Sequence, residues 1–338
     1  MTTQTTCPRE PAPPAAGPDA PARAAAPPEA HPLAAVPVFI FGVPRSGTTY
    51  TFNLLNEHPR IRMTSEGRTV REGAYLYGRH GRGHDPAHFE QLLEAFCQAE
   101  GDEPLNRWLV RQIRAHGRSF YERHGRAGDF ALLVRDLYTY RQNVACWGDK
   151  NVHVTECPNV LHLWPDARCV ILIRDPRAVS ASMAAYFGTR IKYAALCWNL
   201  HARWTRLHAT CPQRFHVVRY EDLVTDTPAH LETIFRWLGV WDPAAAARIL
   251  EKCPPQTASL DKWREALDGE QVRRLESYCF DEMRAWGYAP GHATHRVSIT
   301  PIGRGIEAVR EHARRIELDP RWWLRKRIVN RFFRLIRG

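Results

Sequence analysis

Apolar positions in this chain fall into short, dense runs separated by long polar stretches. Val38-Phe39-Ile40-Phe41 is the first such run, and its unbroken β-rich character predicts a strand buried on both faces. It leads into Gly42-Val43-Pro44-Arg45-Ser46-Gly47-Thr48-Thr49 and then into residues 50–57, whose pattern predicts a helix. A second run, Cys169-Val170-Ile171-Leu172-Ile173, ends in Arg174-Asp175-Pro176, where the proline suits the first turn of a following helix. Phe215-His216-Val217-Val218-Arg219 predicts a third strand, and a shorter one is expected before Asp149. Apolar strands alternating with helices predict an α/β fold of three layers, with a central parallel sheet covered on both faces. Residues 70–143 are rich in charge, glycine and aromatic side chains, with helical periodicity near 88–99 and 104–116. They are expected to form a helical insertion over the sheet.

The two ends follow other patterns. Residues 1–35 are dominated by proline, alanine and threonine without periodic apolar positions, and are expected to form a disordered leader. Residues 36–290 then make one catalytic domain, 291–320 a linker, and 321–338 a helix of their own. On a wheel of about 100° per residue, Trp322, Leu324, Ile328, Val329, Phe332, Phe333, Leu335 and Ile336 fall in one half of that last segment. Lys326, Arg327, Arg331, Arg334 and Arg337 fall in the other, with Arg325 and Trp323 out of place. A basic amphipathic helix of this kind is expected to lie on an anionic membrane surface. Nucleic acid is not the expected partner, because stacking aromatics have no need to segregate onto one face.

Composition narrows the class. The 338 residues are 44% hydrophobic and 25% charged, enough for one large core. The formal charge is +11, but residues 321–338 hold seven cations and no acid, which leaves the body only mildly basic. Nine scattered cysteines, with no C-x-x-C spacing, fit reduced thiols in a cytosolic compartment and argue against a cysteine zinc site. No apolar run approaches the roughly 20 residues a bilayer span needs, and no signal-peptide stretch opens the chain. The expected location is cytoplasmic, peripheral on the membrane.

Gly42-x4-Gly47 has the spacing of a P-loop, whose backbone N–H groups and following helix N-terminus surround an anion. A nucleotide triphosphatase needs Lys-Ser/Thr directly after the second glycine, and here Thr48 and Thr49 stand there. The cation is instead inside the loop as Arg45, beside the hydroxyls of Ser46, Thr48 and Thr49. This departure counts against a P-loop kinase, the alternative enzyme. A second alternative is an inactive membrane adaptor on the same fold, which the basic tail alone would favour.

Pro44-Arg45-Ser46-Gly47-Thr48-Thr49 at a strand-to-helix junction resembles the 5′-phosphosulfate loop of the sulfotransferases that use 3′-phosphoadenosine 5′-phosphosulfate (PAPS). Arg174 and Ser182, eight residues apart across a strand end and the next helix, resemble that family's 3′-phosphate pair. Val218-Arg219-Tyr220-Glu221-Asp222-Leu223 resembles its Tyr-Glu-Asp segment, in which the tyrosine approaches the adenine. The resemblance runs in order over roughly residues 37–288 and implies a P-loop-type fold and PAPS as co-substrate, with no metal. It implies nucleotide-binding roles for Arg45, Ser46, Gly47, Thr48, Thr49, Arg174, Ser182 and Tyr220. Lys262, in the segment 257–264, matches the late loop near the 3′-phosphate, although the family's Arg-Lys-Gly form of that loop is absent.

In-line sulfuryl transfer needs cations on the sulfonate and leaving oxygen and a base on the acceptor. The resemblance gives the first role to Arg45 and to Lys150, in Trp147-Gly148-Asp149-Lys150-Asn151. The base differs between branches. A histidine two places after the lysine is replaced here by Val152, with His153 one residue late. His58-Pro59 followed by Glu66-Gly67-Arg68 resembles the tyrosylprotein branch and implies Glu66 as base. The acceptor is then a hydroxyl or amine on a tyrosyl, sugar or lipid substrate, and neither its identity nor the oligomeric state is written in these motifs.

Overall fold

A computed structural model describes residues 35–65, 115, 130–139, 144–150 and 153–318. In chain order the elements are β1 (Val36–Gly42), α1 (Thr48–Asn56), β2 (Ile61–Ser65), α2 (Phe130–Thr139), β3 (Cys146–Lys150), α3 (Cys157–Leu163), β4 (Arg168–Ile173), α4 (Pro176–Phe187) and α5 (Ile191–His208). They continue as β5 (Phe215–Arg219), α6 (Tyr220–Thr225), α7 (Thr227–Leu238), α8 (Pro243–Lys252), α9 (Trp263–Ala266), α10 (Gly269–Ala285) and α11 (Pro301–Leu318). The five strands form one parallel sheet in the order β2-β3-β1-β4-β5. After β1 the chain adds two strands on one side and then two on the other. That places the topological switch at the carboxyl end of β1, where a parallel sheet opens a crevice for ligands.

Strand alternation builds the two layers. Phe39 and Phe41 of β1 pack with Trp147, Trp164 and Ile171 on one face, while Val38 and Ile40 pack with Leu54, Val170, Leu172 and Phe235 on the other. A third cluster joins α4, α5 and α10 through Val179, Trp198, Leu275 and Met283. The seven described cysteines are all free, as their scatter predicts, and four of them are buried.

Two features depart from the sequence reading. β2 is a strand the pattern did not suggest, because only Ile61 and Met63 are apolar along its five residues and it sits at the sheet edge. Within the expected insertion, α2 packs on the sheet, with the Trp164 indole donating to the Ala131 carbonyl at 3.0 Å. The periods at 88–99 and 104–116 lie outside the described residues, except for helical Ala115, as do the leader and the segment 321–338. The stretch expected to be a linker contains α11, which extends the ordered body beyond residue 290.

Thr300 caps α11 by accepting from the Gly303 N–H at 3.1 Å, and Pro301 supplies a preset first residue. The helix escaped notice because its core-facing side is acidic. Glu307 and Glu311 are 1% and 3% exposed. Glu307 pairs with Lys192 at 3.1 Å and Arg190 at 3.6 Å, and Glu311 accepts from the Arg190 N–H at 3.1 Å. A search for apolar core faces passes over a helix docked by ion pairs.

Candidate functional site

The loop between β1 and α1 is shaped by close contacts. A Cβ on Gly42 would lie 2.4 Å from the Ser46 Oγ, and one on Gly47 would lie 2.1 Å from the Tyr220 ring. Gly47 also has φ +95, as N-cap of α1, a left-handed conformation that glycine adopts without penalty. Arg45, at φ 73, is the one non-glycine residue with positive φ among those described, so the backbone is strained where the cation sits. No side chain caps α1, which leaves its first N–H groups directed at the crevice with the positive end of the helix dipole. The Ser46 hydroxyl is buried without a hydrogen-bond partner. Such an orphaned donor beside free helix N–H groups fits an anion.

Four elements converge on this loop around a cavity of about 670 Å³ lined by Arg45, Gly47, Thr48, Thr49, Arg174, Ser182, Tyr220 and Lys262, together with Ser259 and Trp263. Arg45 donates from Nε to the Ser182 Oγ at 3.0 Å and lies 4.6 Å above the Tyr186 ring. Arg174, at the end of β4, reaches the Arg45 carbonyl at 3.0 Å and the Ser259 carbonyl at 2.8 Å. It stacks on Tyr220 at 4.3 Å, and the Tyr220 and Ser259 hydroxyls lie 3.1 Å apart. Its own carbonyl accepts from the Trp198 indole at 2.7 Å, so the α5 core fixes its backbone.

Arg174 is 7% exposed and its Nε has no partner. Burial pulls its pKa below the ordinary arginine value, opposed by Tyr220, Glu221 and Asp175. A buried guanidinium held mainly by carbonyls is a cation short of an anion. Lys150, 3% exposed at the end of β3, donates to the Thr49 Oγ1 at 3.4 Å and so reaches the loop from the other side.

The structure therefore brings together every described residue expected at the site, with two qualifications of arrangement. Ser182 bonds to Arg45 and not to Arg174, although both line the same cavity. Glu66, the expected base, lies outside the described residues. Sequence reasoning passed over Tyr186, and it placed Ser259 and Trp263 in the late loop 257–264 without giving either a role. Tyr186 had a usable signal, since it stands four residues after Ser182 and so shares its helix face.

A second cavity of about 380 Å³ borders the loop at Val43 and Pro44 and is walled by Met183, Phe187, Tyr193 and Leu200, with His153 and His201 as its imidazoles. His201 Nε2 lies 2.9 Å from the Leu172 carbonyl and must donate to it. Burial pushes its pKa down to about 4, so it is neutral at pH 7. Among the described residues no group of three or more histidines, cysteines and carboxylates is placed to hold a metal ion.

The family model described as "Sulfotransferase family" matches residues 37–243, more than half of the chain. Nodulation protein NoeE of Sinorhizobium fredii is 25% identical over 329 residues, covering 84% of this chain and 73% of the relative. Protein-tyrosine sulfotransferase 2 of Gallus gallus is 25% identical over 272 residues, covering 75% of this chain and 64% of the relative. Among solved structures, the sulfotransferase domain of the Synechococcus PCC 7002 olefin synthase superposes with a TM-score of 0.51 at 21% identity. That match covers 75% of this chain and 96% of that domain, a likeness of fold.

Proposed function

The chain belongs to the sulfotransferase family, and on that premise we propose that it moves the sulfuryl group of PAPS onto an acceptor hydroxyl. The observation that carries this reading is the convergence of the Gly42–Thr49 loop, Arg174, Ser182 and Tyr220 on one cavity. A 5′-phosphosulfate would lie against the loop N–H groups, Ser46, Thr48 and Thr49. Arg174, Ser182 and Lys262 would hold the 3′-phosphate, and Tyr220 would contact the adenine.

In the transfer, the acceptor oxygen forms a bond to sulfur as the bond from sulfur to the 5′-phosphate oxygen breaks. The electron pair leaves with adenosine 3′,5′-bisphosphate. Arg45 and Lys150 stabilise the negative charge on the sulfonate and leaving oxygen, and Arg45 acts electrostatically because a guanidinium does not give up its proton. Glu66 takes the acceptor proton. The second cavity, bordering the same loop, receives the acceptor. Its apolar walls favour an acceptor with an alkyl or aryl body around the hydroxyl.

The basic segment 321–338 would hold the enzyme on the cytoplasmic side of an anionic membrane, where lipid-linked acceptors are within reach. Among the described residues no helix is long and apolar enough to cross a membrane. Incubation with sulfur-labelled PAPS and extracts of the source cells tests the reading. A labelled hydroxyl-bearing product that disappears in Glu66→Gln supports it, and phosphate transfer from ATP in its place would overturn it.

A further inference from the structure

The charge distribution on α11 is inverted relative to an ordinary surface helix. Its two acids within 301–314, Glu307 and Glu311, face the protein, while Ile302, Ile306 and Val309 are 77%, 47% and 70% exposed. Those three residues recur at i, i+4 and i+7 and so form a single stripe. Arg310 borders that stripe, 58% exposed and paired with Glu307 at 3.1 Å, while Arg304 and Arg314, also exposed, lie toward the Glu311 and Glu307 sides of the helix. Over 301–314 the exposed side chains therefore include no acid.

We infer that the outer face of α11 is a docking surface for an anionic lipid bilayer. Two isoleucines and a valine held in water with Arg310 at their edge match the apolar face and basic rim by which helices lie in a lipid interface. A second copy of the chain packed on this stripe would bring another Arg310 into the same interface, and like charges across an interface are unfavourable. Beyond Glu317 and Asp319 the sequence continues into 321–338, which holds seven cations and no acid.

The inner face determines what such docking does. Glu307 is gripped by Lys192 and Arg190, and Arg314 Nε donates to the Gly188 carbonyl at 2.7 Å. Gly188 and Arg190 belong to the turn between Phe187 and Tyr193, two walls of the second cavity. The lipid-facing helix is thus fastened to the acceptor side of the enzyme, and a bilayer bound there supplies membrane-resident alcohols to it. That last step rests on the proposed function, whereas lipid binding itself does not.

The test uses the full chain with Ile302, Ile306 and Val309 all changed to serine, and separately with Arg310→Gln. Partition is measured without PAPS onto phosphatidylcholine vesicles with and without phosphatidylserine. Withdrawal of three apolar side chains from the interface is expected to lower partition onto the anionic vesicles by about tenfold or more. Arg310→Gln is expected to weaken it with a shallower salt dependence, and both variants should keep the wild-type melting temperature. Unchanged partition of the serine variant overturns the inference, as does a wild-type dimer in light scattering that the serine variant dissolves. Because no sulfuryl transfer is scored, failure of the proposed enzymatic activity leaves this outcome readable.

Discussion

Gly47→Ala is the most informative single perturbation of the loop, because Gly239→Ala provides its internal control. Both glycines have positive φ, at +95 and +76, but a Cβ on Gly239 would meet nothing within 4 Å. Gly239→Ala is therefore expected to cost only the left-handed backbone penalty of about 1–2 kcal/mol. At about 2–4 °C per kcal/mol for a domain of this size, that is a loss of a few degrees. At Gly47 the new Cβ would lie 2.1 Å and 2.5 Å from two carbons of the Tyr220 ring, so ring or loop must move. Overpacking of this kind adds about 1–3 kcal/mol. The Tyr220 ring carries the Arg174 stack and the Ser259 contact, so its displacement should also weaken binding of adenosine 3′,5′-bisphosphate by about tenfold or more. Differential scanning calorimetry and isothermal titration of both variants supply the two readouts. Equal melting temperatures for the two variants, with nucleotide affinity intact in Gly47→Ala, would refute the argument that this contact shapes the site.

Glu66→Gln is expected to lower turnover by about 10²–10⁴-fold while leaving nucleotide affinity unchanged, as loss of a general base should; near-normal turnover with the true acceptor would move the role to His153. Burial depresses the His201 pKa from 6.5 to about 4, so between those values the unfolded chain binds a proton that the folded chain refuses. The neutral-histidine contribution is then fully present above about pH 6.5 and is lost as pH falls toward 4, and His201→Gln should flatten that slope by about 1.4 kcal/mol per pH unit. Denaturant titrations across the window measure it, and an unchanged slope would contradict the assignment. Lys150→Met is expected to cut turnover more than nucleotide binding, because its ammonium meets the loop at Thr49, on the side proposed for the sulfonate; a purely structural lysine would instead lower the melting temperature with turnover per folded molecule preserved.

The side proposed for the nucleotide is legible in the sequence because its demands are local. A tight turn, a close backbone approach and a helix N-terminus compress into eight contiguous residues, Gly42 to Thr49, and Arg174 and Ser182 sit eight apart on one strand-to-helix unit. Ser259 is marked only by its place in the segment 257–264, and its contact with Arg174, 85 residues away, comes out of a single helical turn that no local pattern reveals. The sheet is readable where strands are buried on both faces, as in β1 and β4, and unreadable at β2, where an edge position needs only two apolar side chains. α11 was hidden for a different reason. Hydrophobic periodicity assumes that the apolar side faces inward, and a helix docked through Glu307 and Glu311 reverses that assumption. The cavity proposed for the acceptor is the least legible, because its walls come from separate elements whose apolar residues read locally as ordinary core.

Arg174 is where the account is most exposed, since the proposed function gives its buried guanidinium, whose Nε has no hydrogen-bond partner, the 3′-phosphate to hold. The direct measurement is calorimetric titration of adenosine 3′,5′-bisphosphate, adenosine 5′-phosphate and ATP·Mg²⁺ into the wild type and Arg174→Ala. Loss of a charge-assisted contact worth about 1.5–3 kcal/mol should weaken the bisphosphate by about 10–150-fold in the variant. Adenosine 5′-phosphate, lacking the 3′ group, should bind both proteins with similar weakness, and ATP·Mg²⁺ should bind poorly to either. Preference of the wild type for ATP·Mg²⁺, or an Arg174→Ala protein that holds the bisphosphate undiminished, would contradict the assignment of this cavity to PAPS.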